Sequence, residues 1–220
     1  MLYAIIVAGG SGTRMKSDRP KQFLMLGDKP IYYYSVECFL NTFPDLQLIL
    51  VLPPAYLNES EAILSIFPSR DRIQIVAGGE SRFQSVKNGL EAISGEAGMV
   101  FIHDAVRPFI TSNFLQHCLN EAQQYGNAIP CLPLKDSIRM LEASGNRTVD
   151  RSAFRTIQTP QTFQLNEIQE AFQLPYQEAF TDEATVLESI GKTIHLMEGL
   201  VENIKITTPE DLNYAHFLLS

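Results

Sequence analysis

The chain has 220 residues, 45% of them hydrophobic, and a formal net charge of -8, which is enough apolar material for one sizeable core and the wrong sign for a protein that neutralises nucleic-acid phosphates. A single domain over 1–220 is the expectation, and Cys38, Cys118 and Cys131 are spaced for neither a CxxC pair nor a zinc set, so they read as core thiols. No apolar run approaches the ~18 residues of a membrane span and Met1 to Ala8 carries no basic leader, so the expected compartment is the cytoplasm, with no membrane and no nucleic-acid partner.

Short apolar, β-branched runs at Tyr3–Ala8, Gln47–Leu52, Ile73–Ala77, Met99–His103 and Asn127–Leu132 predict buried parallel strands. Helical spacing separates them: Val36, Phe39 and Leu40; Ala62, Leu64 and Ile66; Val86, Leu90 and Ile93; then Phe114, Leu115, Cys118, Leu119 and Ala122. Alternating strand and helix predicts an open α/β fold, a mostly parallel sheet covered by helices on both faces, with ligands at the carboxyl ends of the strands. From Pro133 to Pro160 polar residues dominate around a Ser144-Gly145-Asn146 turn, predicting a protruding β-arm that finds its burial on a second subunit. Beyond it the pattern predicts helices near Leu165–Phe172 and Asp182–Ile190, strands at Thr193–Met197 and Asn203–Ile206, and a last helix capped by Thr208 with Pro209 at its first position.

The chemistry gathers where strands end. After the first strand comes Ala8-Gly9-Gly10-Ser11-Gly12-Thr13-Arg14, then Pro20-Lys21. Glycines let backbone N–H groups approach a polyphosphate, and Arg14 and Lys21 bring charge to its oxygens. The loop lacks the Gly-Lys-Ser/Thr of a Walker motif, and no third glycine follows Gly10 and Gly12 at the spacing of a dinucleotide fingerprint. Gly78-Gly79-Glu80-Ser81 follows the third strand and opens a helix; Ser81 suits the N-cap, while Ser85 offers a hydroxyl to a base pocket. His103-Asp104-Ala105-Val106-Arg107-Pro108 ends the fourth strand and leaves Asp104 and Arg107 at the sheet edge, with Asp104 the candidate carboxylate for a divalent metal or sugar hydroxyls. His103 reads as a satisfied structural donor. Lys205, in Asn203-Ile204-Lys205-Ile206, presents its charge where that segment meets the ligand. Thr181-Asp182-Glu183 and Asp150-Arg151, taken alone, are a helix start and a solvated ion pair.

Together, Ala8–Gln22, Gly78–Leu90, His103–Pro108, Lys135–Ser137, Gln158–Phe163, Thr181–Glu188 and Asn203–Leu212 resemble the CTP-dependent cytidylyltransferases of 2-C-methyl-D-erythritol 4-phosphate in the non-mevalonate isoprenoid pathway. The resemblance covers nearly the whole chain. It implies a Rossmann-like, nucleotide-diphospho-sugar-transferase-like fold, a homodimer built by the β-arm, CTP as substrate and Mg²⁺ as the divalent metal. It also implies roles. Arg14 and Lys21 would stabilise the transition state at the α-phosphate; Ala8, Gly9, Gly10, Gly79, Ser85 and Lys205 would line the CTP site, with Gly12, Glu80 and Ala105 among the binding residues. Asp104 and Arg107 would meet ribose or substrate, and Arg151 of the neighbouring subunit, Thr181 and Lys205 would position the polyol phosphate. Ser137 stands where the family usually has Thr, and Glu80 where some members have Asp. The related ribitol 5-phosphate cytidylyltransferases share the glycine loop and the Asp104 and Lys205 motifs; the Gly12–Pro20 spacing and Thr181–Glu188 favour the methylerythritol phosphate enzymes. A non-catalytic nucleotide-binding module would have lost Arg14, Lys21 or Lys205, and all three are present.

Overall fold

The structure, a computed structural model, describes residues 1–9, 15 and 19–219. Strand β1 (Leu2–Val7) is followed by a 3₁₀ turn at Lys21–Phe23, a small hairpin of β2 (Met25–Leu26) and β3 (Lys29–Pro30), and α1 (Ile31–Thr42). Next come β4 (Gln47–Leu52), α2 (Leu57–Leu64), β5 (Ile73–Ala77), α3 (Arg82–Glu91), β6 (Met99–Asp104), α4 (Ser112–Tyr125) and β7 (Asn127–Pro133). The arm holds β8 (Arg139–Glu142) and β9 (Gly145–Thr148), and the chain returns through β10 (Arg155–Ile157) and β11 (Gln161–Gln164). Helices α5 (Leu165–Ala171) and α6 (Glu183–Glu188), strand β12 (Leu196–Glu198) and α7 (Pro209–Leu219) complete it.

Among the described residues the main sheet runs β10-β7-β11-β6-β1-β4-β5, with β12 on the other side of β7. β6, β1, β4 and β5 are parallel, as the sequence pattern predicts. These strands are apolar throughout because both faces are covered. Ala4, Ile6, Leu48, Leu50 and Phe101 face one core with α1 and α4; Ile5, Ile49, Val51, Val100 and Ile102 face the other with α3, α5 and α6. The predicted α4 stripe is buried in full, and the helix is capped by Thr111 and stopped by Gly126 at φ 90.

Three expectations are corrected. β7 does not continue the parallel set: β11 inserts between β6 and β7 and is antiparallel to both. Asn203–Ile206 forms no strand, being tied to its neighbour at Ile206, whose N–H donates to the Val106 carbonyl at 2.9 Å. In the α2 region the buried positions are Ser60, Leu64 and Phe67, while Ala62 and Ile66 are exposed; a spacing of two cannot hold one helical face. The predicted hairpin is present, and every residue of β8 and β9 is exposed, including Leu141 at 83%.

Candidate active site

Strand register places the candidate residues along one rim. Val7 lies opposite Asp104 in β6 and Val51 in β4, and Leu52 lies opposite Ala77 in β5. The ladder extends one residue past the strands, through Ala8 N–H to Val51 O, Gly78 N–H to Leu52 O and Ala105 N–H to Val7 O, at 2.8–3.0 Å. The loops after β1, β5 and β6 therefore leave the sheet side by side, at the carboxyl edge where open α/β sheets bind ligands.

Between them lies a cleft of about 360 Å³ whose lining includes Gly9, Lys21, Gly79, Glu80, Ser85, Asp104 and Lys205. A second cavity of about 270 Å³ shares Arg82, Asp104 and Lys205 with it and adds Arg107, Gln161 and Thr181. Ala8 and Ala105 line neither; they are buried behind the rim. Arg151 is exposed in the 3₁₀ turn Arg151–Ala153, donates to the Lys135 carbonyl, and lies in neither cavity. Gly10, Gly12 and Arg14 lie outside the described residues.

Lys21 reaches this rim because Gln22, buried beside it, donates to the Ala8 carbonyl, while Lys21 Nζ donates to Ile206 O at 3.0 Å. Ser85 Oγ clamps the glycine loops: it accepts from Gly79 N–H at 3.1 Å and donates to Ser81 O at 2.9 Å. A Cβ on Gly9 would stand 2.9 Å from that oxygen and push the hydroxyl off its two hydrogen bonds, which favours glycine there. Ser81 caps α3 through Gln84 N–H, as its sequence position predicts.

Asp104, 6% exposed, is the electrostatic hub. Oδ2 accepts from Lys205 Nζ at 2.7 Å, Oδ1 from Arg82 Nε at 3.1 Å, and Arg107 Nε stands 3.9 Å away. Burial alone would raise its pKa, but Arg82, Lys205 and Arg107 overrule it and hold the carboxyl well below its usual range. Arg107 also donates to the Asn203 carbonyl at 2.8 Å, and Asn203 Nδ2 donates to Thr159 O at 2.8 Å, which anchors the segment carrying Lys205. The chain as a whole is acidic, yet Lys21, Arg82, Arg107 and Lys205 make this rim cationic, a local field suited to phosphates.

His103 is fully buried and structural. Nε2 lies 3.1 Å from the Arg107 carbonyl, which can only accept, so that nitrogen carries the proton; Nδ1 then accepts from the Thr159 hydroxyl at 3.1 Å. Burial pushes its pKa from 6.5 down to about 4. As pH falls, the unfolded chain takes up this proton first. The stability that neutral His103 contributes is complete above about pH 6.5 and lost by about pH 4, on the order of 3 kcal/mol. Urea unfolding midpoints should fall through that window, and His103→Gln should flatten this part of the profile; an identical slope in the variant would assign the loss to other groups.

Arg82 and Glu183 escape the sequence reading, although both carried a signal. Glu183 falls among the buried positions of α6 with Ala184, Val186 and Leu187, and a carboxylate on an apolar face demands a cation. Arg82 opens α3, where the helix dipole disfavours positive charge.

The sequence model of the family described as 2-C-methyl-D-erythritol 4-phosphate cytidylyltransferase matches residues 2–220. The chain belongs to this family. A member from Phocaeicola vulgatus is 41% identical over 217 residues, 99% of either chain, and one from Bacteroides thetaiotaomicron is 41% identical over 215 residues, 98% of each. The crystal structure of the 2-C-methyl-D-erythritol 4-phosphate cytidylyltransferase from Thermus thermophilus matches with a TM-score of 0.74 at 29% identity, covering 98% of this chain and 97% of that one. The family resemblance carried by the glycine loops, Asp104 and Lys205 thus extends over the entire fold that brings them together. No helix among the described residues is long and apolar enough to cross a membrane.

Proposed function

We infer that this chain transfers the cytidylyl group of CTP to 2-C-methyl-D-erythritol 4-phosphate, giving 4-diphosphocytidyl-2-C-methyl-D-erythritol and pyrophosphate in isoprenoid precursor biosynthesis. The observation that carries the reading is the cationic rim around Asp104 in a chain matching the family from residue 2 to 220. A phosphate oxygen of the polyol attacks the α-phosphorus of CTP, the bond to the bridging oxygen breaks, and pyrophosphate leaves. The attacking phosphate is already ionised near neutral pH, so no general base is needed; positioning and charge stabilisation supply the acceleration.

In this reading Lys21 and Arg14 stabilise charge at the α-phosphate. Gly9, Gly79, Glu80 and Ser85 shape the nucleotide side with Ala8, Gly10, Gly12 and Ala105, while Asp104 and Arg107 fix the region between the substrates. Thr181 and Lys205 hold the polyol phosphate. The Asp104 oxygens are matched to Arg82 and Lys205, so this carboxylate is committed within the protein rather than offered to a metal. In this reading magnesium enters with the triphosphate as part of the substrate, whose phosphate oxygens it commonly shares with water. The protein works in the cytoplasm as one domain over 1–220.

The exposed arm supports a homodimer in which Arg151 serves the partner's site. Arg151→Ala should chiefly raise the KM for the polyol phosphate, by ~10- to 100-fold if one charge-assisted hydrogen bond is lost. Mixed Lys21→Ala and Arg151→Ala subunits should recover about a quarter of wild-type activity, because each mixed dimer rebuilds one complete site. An unchanged KM, or no recovery on mixing, would remove Arg151 from the neighbour's site. The reaction itself is tested by pyrophosphate release with CTP and Mg²⁺, comparing 2-C-methyl-D-erythritol 4-phosphate with D-ribitol 5-phosphate. Faster release with the first is expected; faster release with the second would assign the other polyol.

A further inference from the structure

We propose that Glu183 is a positioning residue that acts through Arg82, making the Arg82–Glu183 ion pair the wall that couples the nucleotide cleft to the cavity carrying Thr181. The inference rests on the proposed reaction and adds to it a role for Glu183 and a second one for Arg82.

The geometry is specific. Arg82 NH1 and NH2 engage the two Glu183 oxygens, NH2 to Oε2 at 3.0 Å, while Nε donates to Asp104 Oδ1 at 3.1 Å. One guanidinium thus bridges the carboxylate at the end of β6 and the carboxylate at the start of α6, 101 residues along the chain from Arg82. A planar fork of donors can span two carboxylates in this way, and an ammonium cannot. Arg82 lines both cavities; Thr181, two residues before Glu183, lines one of them.

Stability alone does not account for the pair. Glu183 is 1% exposed, and a well-packed apolar residue in such a place is commonly as stabilising as a buried ion pair. Arg82 at the first position of α3 works against the helix dipole. The start of α6 is already secured independently: Asp182 forms a capping box with Thr185, and Gln161 donates to Asp182 Oδ2 and accepts from Ala184 N–H, both at 2.9 Å. What the pair adds is a fixed distance between Asp104 and the Thr181 segment. Thr181 is joined to Glu183 through a single residue, so a shift of the Thr181 segment is passed to the ion pair, and Arg82 cannot turn into the nucleotide cleft without releasing Glu183. A nucleotide that fixes Arg82 and Asp104 therefore also fixes the segment that receives the second substrate.

The test is the kinetics of Glu183→Gln, which keeps the shape and removes the charge, beside Glu183→Asp, which keeps the charge. In the wild type, saturating CTP should lower the KM for the polyol phosphate by ~5-fold or more, the usual lower range of coupling between sites. In Glu183→Gln that CTP dependence should vanish and the KM at saturating CTP should rise by a similar factor, with kcat changed much less; Glu183→Asp should regain part of the coupling. A merely structural role would lower the melting temperature and the active fraction, and hence kcat, while leaving KM and its CTP dependence intact, and that result would overturn the proposal. Should Glu183→Gln fail to fold, Arg82→Lys replaces it with the same expected rise in KM, and an unchanged KM there is equally fatal. If the wild type turned over neither polyol phosphate, the proposed function would fail separately. Amide exchange at 181–185 would then decide the ion pair: faster exchange in the Gln variant, reversed by Asp, upholds the positioning role, and no change overturns it.

Discussion

Lys21→Ala should lower turnover by ~10²-fold or more while the protein remains folded, the scale on which losing one preorganised electrostatic donor costs a reaction that develops charge. The two halves of that expectation have separate physical grounds. Lys21 lines the cleft with Asp104 and Lys205 and belongs to a 3₁₀ turn held at the rim by Gln22, whose side chain donates to the Ala8 carbonyl whether or not Lys21 is present. Its bond to Ile206 O, at 3.0 Å, is a partly buried charge-assisted contact, and losing that contact costs about 2 kcal/mol. Phe23, stacked on Tyr56 with centroids 4.3 Å apart, keeps the turn anchored in the core. The measurement is kcat beside a melting curve. Near-normal turnover would remove Lys21 from the chemistry, and a large loss of melting temperature would move its contribution from catalysis to folding.

Asp104→Asn should be the most damaging substitution at the rim for stability, by about 3 kcal/mol or more, because removing one partner of a buried ion cluster leaves the remaining charges uncompensated. Arg82, Lys205 and Arg107 converge on this carboxylate, which their charges keep ionised far below neutral pH. The sign of the linkage follows. With its folded pKa depressed below the ordinary value of 3.8, Asp104 contributes stability that is present above that pH and lost only as the medium becomes strongly acidic. The variant should therefore lose stability at neutral pH and lack the wild type's loss at the acid end. It should also acquire a dependence on added anions. Lys205 and Arg107 without their carboxylate, beside an Arg82 still held by Glu183, form an anion site, so pyrophosphate should raise the variant's unfolding midpoint more than the wild type's. Equal midpoints for both proteins at pH 7 would mean that the cluster contributes no net stability.

Much of this architecture is legible in the sequence because its causes are local. The strands Gln47–Leu52 and Ile73–Ala77 are bounded by their own composition, the α4 stripe by its helical period, and the arm by a polar stretch too long to be buried by this subunit. The glycines at 9 and 79 and Asp104 could be marked as candidates because they sit where apolar runs stop, and parallel strands in register must bring such ends to one edge, whereas Lys205 was marked only as a charge between Ile204 and Ile206. Ser81 and Thr208 were readable as caps for the same reason, since a cap bonds to groups three residues away.

The amino-acid sequence by itself determined the periodic elements, their caps and the positions at which charge leaves the sheet. Only the tertiary structure decided that β11 would enter antiparallel between β6 and β7, that the Lys205 segment would be held by Asn203 and Ile206 rather than by a strand ladder, and that Arg82 would join Asp104 to Glu183. Period and turn chemistry act over a few residues and leave their mark in the chain, whereas the partner of a buried charge is chosen by which surfaces the packed layers bring together, and the Arg82–Glu183 contact spans 101 residues.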